Sequence, residues 1–460
     1  MKTLVIIGAG FSGTVAAIEF LRSAPEDTRL IIINRSGAVA RGLAYGTSSS
    51  KHLLNVPAGN MSALVDDPDS FLRYCQSCSP GTSSSSFVSR KQYGDYLASL
   101  LENAEEDAKG RIDVKRITAE VKTLKSQERG SVIELTSGET LLADQVILAF
   151  GHFPPRTPAA LESMLDSPRY IANPWSASIT ATQDKDTSVL LLGSGLTALD
   201  VISSLEKVSD KSRIYMLSRR GLLPLAHRVS KGGQHTPVSG QDDLLNAPAT
   251  VLCYLRTLKA QVKAGQAAGL DWRDVVASIR PITSRLWARL PYQERRRFLR
   301  HLQPYWDVHR HRVAPDTYEL FEKALRLKHI IPIAGRIRAI ETVGEKMLIT
   351  FQPRGHDTPE KLEVDRIINC TGPNSNPHLI DEPLIRQLIL DNLVSIDDLG
   401  LGVRVDSDLA VLNESGKSSD WLSYVGPMLK ANFWEATAVP ELRLYASTLA
   451  RKISAKFSTT

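Results

Sequence analysis

Two stretches of this sequence share one pattern, and that pattern leaves few folds open. Leu4 to Ile7 is an apolar run, followed at once by Gly8-Ala9-Gly10-Phe11-Ser12-Gly13. Val189 to Leu192 is a second apolar run, followed by Gly193-Ser194-Gly195-Leu196-Thr197-Ala198. Each predicts a strand, a tight turn and a helix, with another strand beyond it at Leu30 to Ile33 and at Arg213 to Leu217. In such a unit the first glycine (Gly8, Gly193) allows the turn. The second (Gly10, Gly195) lets backbone approach a pyrophosphate, and the third small residue (Gly13, Ala198) lets helix pack on strand. The helix N-terminus then faces the phosphate charge. One G-x-G-x-x-G is a weak signal. Two on one chain predict two dinucleotides, a flavin on the first unit and a nicotinamide on the second, so that hydride can pass between the rings.

The residues that end the second strand of each unit refine this. A carboxylate there commonly holds the ribose hydroxyls. In the first unit Asn34 takes that place, followed by Arg35. Asparagine accepts a hydrogen bond without carrying charge. In the second unit the place is held by Ser218-Arg219-Arg220. A serine and two arginines suit a ribose 2′-phosphate, so the expected cofactors are FAD and NADPH, with NADH less favoured. Val146 to Gly151 and Ile367 to Gly372 are two more apolar strands ending in a small residue and glycine, where backbone can approach a ligand. Gly151, Thr371 and Gly372 are therefore candidate cofactor contacts.

The fold class expected is α/β: two Rossmann-like dinucleotide-binding domains, the second inserted in the first, with an Arg-rich helical excursion. Residues 1–160 and 365–460 are assigned to the FAD-binding domain, and 161–364 to the NAD(P)H-binding domain, with the excursion at about 224–320. A chain of 460 residues buries a large core without disulfide staples, and its four cysteines suit a reducing cytoplasm. No apolar run approaches the roughly 18–20 residues of a membrane span. Met1 to Ile7 reads as a strand and not as a signal peptide, because glycines interrupt it and no small-residue cleavage site follows. The net charge of +6 is local. Arg280 to Arg312 holds nine arginines against Glu294 and Asp307, so that stretch alone is +7 and the rest is near neutral. A local block suggests one anionic partner at one place, not a nucleic-acid surface. It reads either as a solvated helix or as an electropositive wall for an anion, with Arg310 and Arg312 as candidate substrate contacts.

The two glycine-ended strands resemble the ATG turns of flavoproteins with two dinucleotide domains. Longer motifs narrow the resemblance. Arg41-Gly42-Leu43-Ala44-Tyr45-Gly46, His52 to Gly59, Tyr305 to Arg312, and Trp434-Glu435 to Pro440-Glu441 look like a bacterial family of FAD/NAD(P)-binding proteins that includes an FAD-dependent urate hydroxylase. The resemblance spans nearly the whole chain and implies cofactor contacts at His52 and Asn55. Asn60-Met61 to Leu64 and Asp67 to Tyr74 are similar, more loosely, to N-hydroxylating flavin monooxygenases. That likeness implies that Asn60 and Met61 lie near the flavin. The same stretch also reads as a helix start, with Asp67 as N-cap, Pro68 first in the helix, and Phe71 and Tyr74 in the core. Trp434 precedes a helix starting near Pro440, whose N-terminus in related folds faces the flavin, where its dipole stabilises negative charge.

Other flavoprotein classes fit less well. Residues 36–60 hold no cysteine pair, and Cys75-Gln76-Ser77-Cys78 lies beside a serine-rich loop without a second pair for zinc. Gly94-Asp95 comes too early for the late Gly-Asp turn of single-domain aromatic hydroxylases. Tyr170 to Trp175 lacks the histidine of Baeyer–Villiger enzymes. No metal site is expected. The function expected is an FAD-dependent NAD(P)H monooxygenase acting with dioxygen on a small polar nitrogenous or anionic substrate such as urate, with neither nucleic acid nor membrane as partner. A flavin dehydrogenase feeding a carrier, or a nucleotide sensor without catalysis, are the other readings of the same motifs.

Overall fold

The structure is a computed structural model, and it describes residues 1–176, 187–205, 212–228 and 240–459. The chain opens with β1 (Lys2–Ile7), α1 (Phe11–Ser23) and β2 (Thr28–Ile33), with β1 and β2 parallel and Leu4 opposite Leu30. A short helix, α2 (Gly42–Tyr45), leads to α3 (Ser70–Cys78), α4 (Arg90–Asp107) and β3 (Ile112–Ile117), which lies along β2. β4 (Val121–Ser126), β5 (Ser131–Leu135) and β6 (Thr140–Ala143) form a small antiparallel sheet before β7 (Gln145–Leu148) returns beside β1. Leu4 to Ile7, Leu30 to Ile33 and Val146 to Leu148 are all buried. Their apolar character is unbroken because a parallel sheet covered on both faces has no wet side.

The second unit follows β8 (Tyr170–Ile171): β9 (Ser188–Leu192), α5 (Leu196–Ser204) and β10 (Arg213–Ser218). The excursion then runs through α6 (Gln241–Asn246), α7 (Val251–Ala267), α8 (Trp272–Ser278), α9 (Thr283–Arg289), α10 (Tyr292–His301) and α11 (Gln303–Arg310). α12 (Pro315–Arg326) leads into β11 (Ile330–Val343), β12 (Lys346–Pro353), β13 (Glu360–Val364) and β14 (Arg366–Asn369). The chain ends with α13 (Pro383–Leu390), β15 (Ala410–Leu412), β16 (Ser418–Tyr424) and α14 (Val439–Ser458). The first sheet has the order β15-β16-β7-β1-β2-β3, and the second β13-β12-β11-β10-β9-β14-β8.

Two boundaries fall elsewhere than the sequence suggests. β14 is parallel to β9, with Ile367 opposite Leu190, so it belongs to the second sheet, and the chain crosses back after it rather than at residue 365. The excursion also ends before 320, because α12 starts at Pro315 and packs Tyr318 and Phe321 with Val313 and Ile330 against the second sheet. α12 is thus the crossover helix between the parallel strands β10 and β11. The N-cap of α3 is Asp69, not Asp67, whose carboxylate pairs instead with Arg73. Phe71 is fully buried, as its apolar face requires.

The two ends of the first domain are joined by a buried charge. Glu19 on α1 is 2% exposed and accepts from Ser447 Oγ at 2.8 Å and from Arg451 Nε at 3.1 Å, both on α14. A carboxylate this deep is tolerated only when paired and hydrogen-bonded. It therefore fixes α14 against the first glycine unit. None of the helices among the described residues is long and apolar enough to cross a membrane.

Candidate functional site

The two glycine turns have the same local construction. Gly8 has φ +104° and Gly193 φ +106°, a region that favours glycine. A Cβ on Gly8 would stand 2.7 Å from the carbonyl oxygen of Ala149, at the end of β7. A Cβ on Gly193 would stand 2.4 Å from that of Cys370, at the end of β14. The strand ends that carry Gly151 and Gly372 are thus the back walls of the two turns. Thr371 and Gly372 belong to the second, where Thr371 Oγ1 donates to Asn369 Oδ1 at 2.7 Å. Opposite the second glycine each turn is bare: a Cβ on Gly10 would meet only Gly42 Cα at 3.7 Å, and one on Gly195 would meet nothing within 4 Å. Neither α1 nor α5 has a side-chain cap at its N-terminus. The first-turn N–H groups of both helices are left for an outside acceptor, and a phosphate fits that need.

The surroundings differ. At the first turn a cleft of about 500 Å³ opens, lined by Gly8 to Ser12, Asn34 to Ser36, Arg41 to Tyr45, Phe150 to Pro154, Pro427 and Thr437. That volume is in the range of ligand and cofactor sites, roughly 300–1,000 Å³. Arg41 is held by Asp95 at 2.6 Å, and Gly94 lets α4 lie against α2, since a Cβ there would strike Tyr45 O at 2.6 Å. Asn34 donates from its amide nitrogen to Ser36 Oγ and Ala38 O of the adjoining loop, at 3.1 and 3.2 Å. Two carboxylates reach this strand end from elsewhere in the chain. Glu120 and Glu382 both line the cleft, and Arg35 donates to Glu382 at 3.1 Å. Residues so far away in sequence give no local signal, and both were missed. His152, which also lines the cleft, carried only the faint signal of following Gly151.

His52 and Asn55 lie outside this cleft, at the junction of the two units. His52 is 6% exposed; its Nδ1 meets Thr47 Oγ1 at 2.7 Å and its Nε2 meets Ser204 Oγ at 2.8 Å on α5. Burial holds its pKa below the ordinary histidine value, against the charge of Asp200. Beside it Arg90 pairs with Asp200 at 2.8 Å, where burial pushes the carboxyl up and Arg90 opposes. The Asn55 carbonyl accepts from His227 Nε2 at 2.8 Å. Asn60 and Met61 are also outside the cleft wall. The turn Ala58–Asn60 leaves Asn60 exposed and drops Met61, 3% exposed, into the first core.

At the second turn Ser218 Oγ accepts from the Gly221 N–H at 3.1 Å, and Arg219 is exposed. Arg220 is used by the protein itself, donating to Arg300 O at 2.6 Å and His301 O at 3.2 Å, the last carbonyls of α10. Trp434 does not face the first cleft. It is buried against Trp287, centroids 4.6 Å apart, and edge-on to Phe298 at 5.0 Å, with Lys430 Nζ 4.1 Å from its ring. The apolar face of α10 closes over it, which is why Phe298, Leu299 and Leu302 share one side.

The arginine block divides. Arg296, Arg297 and Arg300 are exposed on α10, as a solvated helix requires. Arg280 pairs with Glu441 at 2.5 Å, and Arg310, its side chain 9% exposed, donates to Glu435 Oε2 at 3.0 Å. Arg312 is also 9% exposed. The block is thus surface at one end and interior at the other. Among the described residues no group of three histidine, cysteine or carboxylate side chains could hold a metal ion. Cys75 is fully buried and Cys78 exposed, both free; burial pushes the Cys75 thiol up to about 11.

Residues 5–153 match a family described as FAD-NAD(P)-binding, less than half of the chain. No curated protein matches the sequence. Among solved structures, L-lysine 6-monooxygenase from Pseudomonas syringae is similar over 100% of this chain and 99% of its own, at 16% identity and a TM-score of 0.65. The ornithine N-hydroxylase of Kutzneria sp. 744 is similar over 98% and 99%, at 12% identity and 0.64. Bacillithiol disulfide reductase from Staphylococcus aureus is similar over 99% of each chain, at 13% identity and 0.54. At such identities the likeness is one of fold. The chain is an α/β protein with parallel sheets and Rossmann-type FAD/NAD(P)-binding domains.

Proposed function

We propose that this protein is an FAD-dependent NAD(P)H oxidoreductase, and specifically a monooxygenase that hydroxylates a small nitrogenous or anionic substrate. The observation that carries the reading is the pair of turns at Gly8 and Gly193, each bare opposite its second glycine and each at an uncapped helix N-terminus. FAD would lie in the first cleft, its pyrophosphate on the N-terminus of α1, with Glu120 or Glu382 near its ribose in place of the acid absent at Asn34. NADPH would lie on the second turn, its 2′-phosphate met by Arg219 and Ser218. When bound, the flavin accepts hydride from the nicotinamide and passes the electrons to an acceptor. The protein orients the two dinucleotides, and the buried contacts of His52, Arg90 and Asp200 hold the two turns in one relation.

Likeness of fold extends to monooxygenases and disulfide reductases alike. The monooxygenase reading is favoured because no cysteine lines the first cleft among the described residues, and the Cys75 thiol is kept protonated. The net reaction takes substrate, dioxygen, NADPH and a proton to hydroxylated substrate, NADP⁺ and water. Urate and small amines are the first substrates to try. The test is oxygen uptake and NADPH oxidation by the flavin-loaded protein with each substrate, with heavy-isotope dioxygen and mass spectrometry of the product. Incorporation of one labelled oxygen atom per NADPH supports the reading. Substrate oxidation with no labelled product, and electrons passed to a carrier, overturns it.

A further inference from the structure

Arg312 is anomalous for a buried cation. It is 9% exposed, its Nε is fully enclosed without a partner, and it makes no hydrogen bond or ion pair with any described residue. The Nε of Arg310 is enclosed and unpartnered as well, although that side chain also reaches Glu435. Arg273 is near, with Arg273 and Arg312 guanidinium carbons 4.5 and 6.0 Å from the ring centroid of Trp272. Two carboxylates, Asp271 and Asp274, act on Arg312, and each already holds another arginine: Asp271 pairs with Arg273 at 3.2 Å and Asp274 with Arg228 at 2.9 Å. His227 faces the same cluster and adds no charge: its Nε2 is committed to the Asn55 carbonyl, and its pKa is pushed down to about 4 by burial and then by Arg312. Buried charges are ordinarily paired, and a buried donor left unmade is costly. A buried guanidinium left without a hydrogen-bonding partner persists in a fold when something outside it supplies one.

We propose that Arg312, with Arg310 and Arg273 beside it, is the seat of an oxyanion carried by the substrate, a carboxylate or an equivalent planar anion. The guanidinium fork matches such a group with two parallel hydrogen bonds. The position suits a substrate. Glu435, which holds Arg310, is two residues before Thr437 in the wall of the first cleft, and Asn55 ties His227 to the loop that reaches α5 through His52. The proposal narrows the substrate class of the reading above and rests on it for the word substrate; the oxyanion seat itself does not.

The test uses the flavin-loaded protein without turnover, so that it stands apart from any failure of the monooxygenase reading. Thermal unfolding is followed in chloride buffer and in sodium sulfate or sodium acetate at matched ionic strength, for the parent, Arg312→Met and Arg312→Lys. The parent is expected to gain about 2 °C from sulfate or acetate beyond the gain of Arg312→Met, at a tenfold excess over the anion's Kd. Arg312→Lys, which keeps the charge and loses the fork, should retain part of that gain. In chloride alone Arg312→Met should melt no lower than the parent, because it removes a buried charge that has no hydrogen-bonding partner. An equal anion response in parent and Arg312→Met overturns the seat. So does a loss of about 4 °C or more by Arg312→Met in chloride, which would make Arg312 a packing residue on Trp272. NADP⁺ titration separates the source of the anion. Unchanged NADP⁺ affinity in Arg312→Met supports a substrate anion, and a tenfold weakening assigns the seat to the nucleotide phosphate and overturns the substrate assignment. If Arg312→Met does not fold, Arg312→Lys carries the same measurements.

Discussion

At Gly8 and at Gly193 the chain takes the same turn, with φ of +104° and +106°, each pressed against the carbonyl that ends a neighbouring parallel strand. Around the first turn the other elements close into a cleft of about 500 Å³, with Glu120 and Glu382 at one edge. At the second, the strand end offers an exposed Arg219 and a serine. The comparison teaches that the backbone cradle specifies only that a pyrophosphate can approach. What kind of dinucleotide sits there is decided by side chains at the edge, some of which come from distant parts of the chain.

The largest effect is expected where the cradle itself is broken. A Cβ on Gly13 would stand 1.9 Å from Gly8 O, so Gly13→Ala must distort the first turn. Purified Gly13→Ala should carry less than about a tenth of the parent's flavin by visible absorbance, as expected where no small shift of neighbours can relieve the overlap. Gly193→Ala should do the complementary thing. It should keep its flavin while anaerobic reduction by NADPH slows by about a hundredfold, the order expected when a positioned reactant is misplaced. Loss of flavin from Gly193→Ala, with reduction otherwise intact, would show that the assignment of the two units is reversed.

The edge side chains should give smaller and more selective changes. Arg219→Ala should raise the KM for NADPH about ten- to a hundredfold and leave that for NADH nearly unchanged, the size of one or two charge-assisted hydrogen bonds. Equal effects on both would remove Arg219 from the 2′-phosphate. The junction between the units should report through pH. His52 and His227 are held below the ordinary histidine value, His227 at about 4. As pH falls from about 6.5 toward 4, the unfolded chain takes up protons that the folded chain refuses, so stability is lost across that window. His227→Gln should shrink the fall in melting temperature between pH 7 and pH 5 by about 2 °C. An unchanged fall would mean that His227 is not buried in its neutral form. The smallest effect belongs to the C-x-x-C pair. Cys75→Ala should change the rate of flavin reduction by less than about twofold, since a thiol held near 11 supplies little thiolate at neutral pH.

Much of the site was legible because it is local. Glycine spacing, apolar runs and the Ser218-Arg219-Arg220 strand end all act within a few residues of one another, and each unit folds as read. The reading and the geometry part where a residue's place is set by something far off in sequence. Trp434 was expected near the flavin and instead lies under α10 against Trp287. Met61 was expected there too and lies in the core, because the turn at Ala58–Asn60 rotates it inward. His52 and Asn55 proved to be junction residues, since α5 and His227 arrive beside them from the other domain. The strand Arg366–Asn369 was assigned to the first domain by its place in the chain, but its hydrogen bonds put it beside β9.

The sequence by itself determined the two nucleotide-binding turns, the parallel α/β class and the presence of one basic segment, because backbone conformation, strand burial and charge are short-range properties. Only the tertiary structure decided which arginines of that segment are solvated and which are interior. Arg296 and Arg300 stand in water on α10, and Arg312 is enclosed beside Arg310 and Arg273 with its Nε unpartnered. Nothing in a run of like residues distinguishes them. The difference arises when elements separated by tens to hundreds of residues pack together and remove water from some charges and not from others, and the cost of that removal is what gives the buried ones their chemistry.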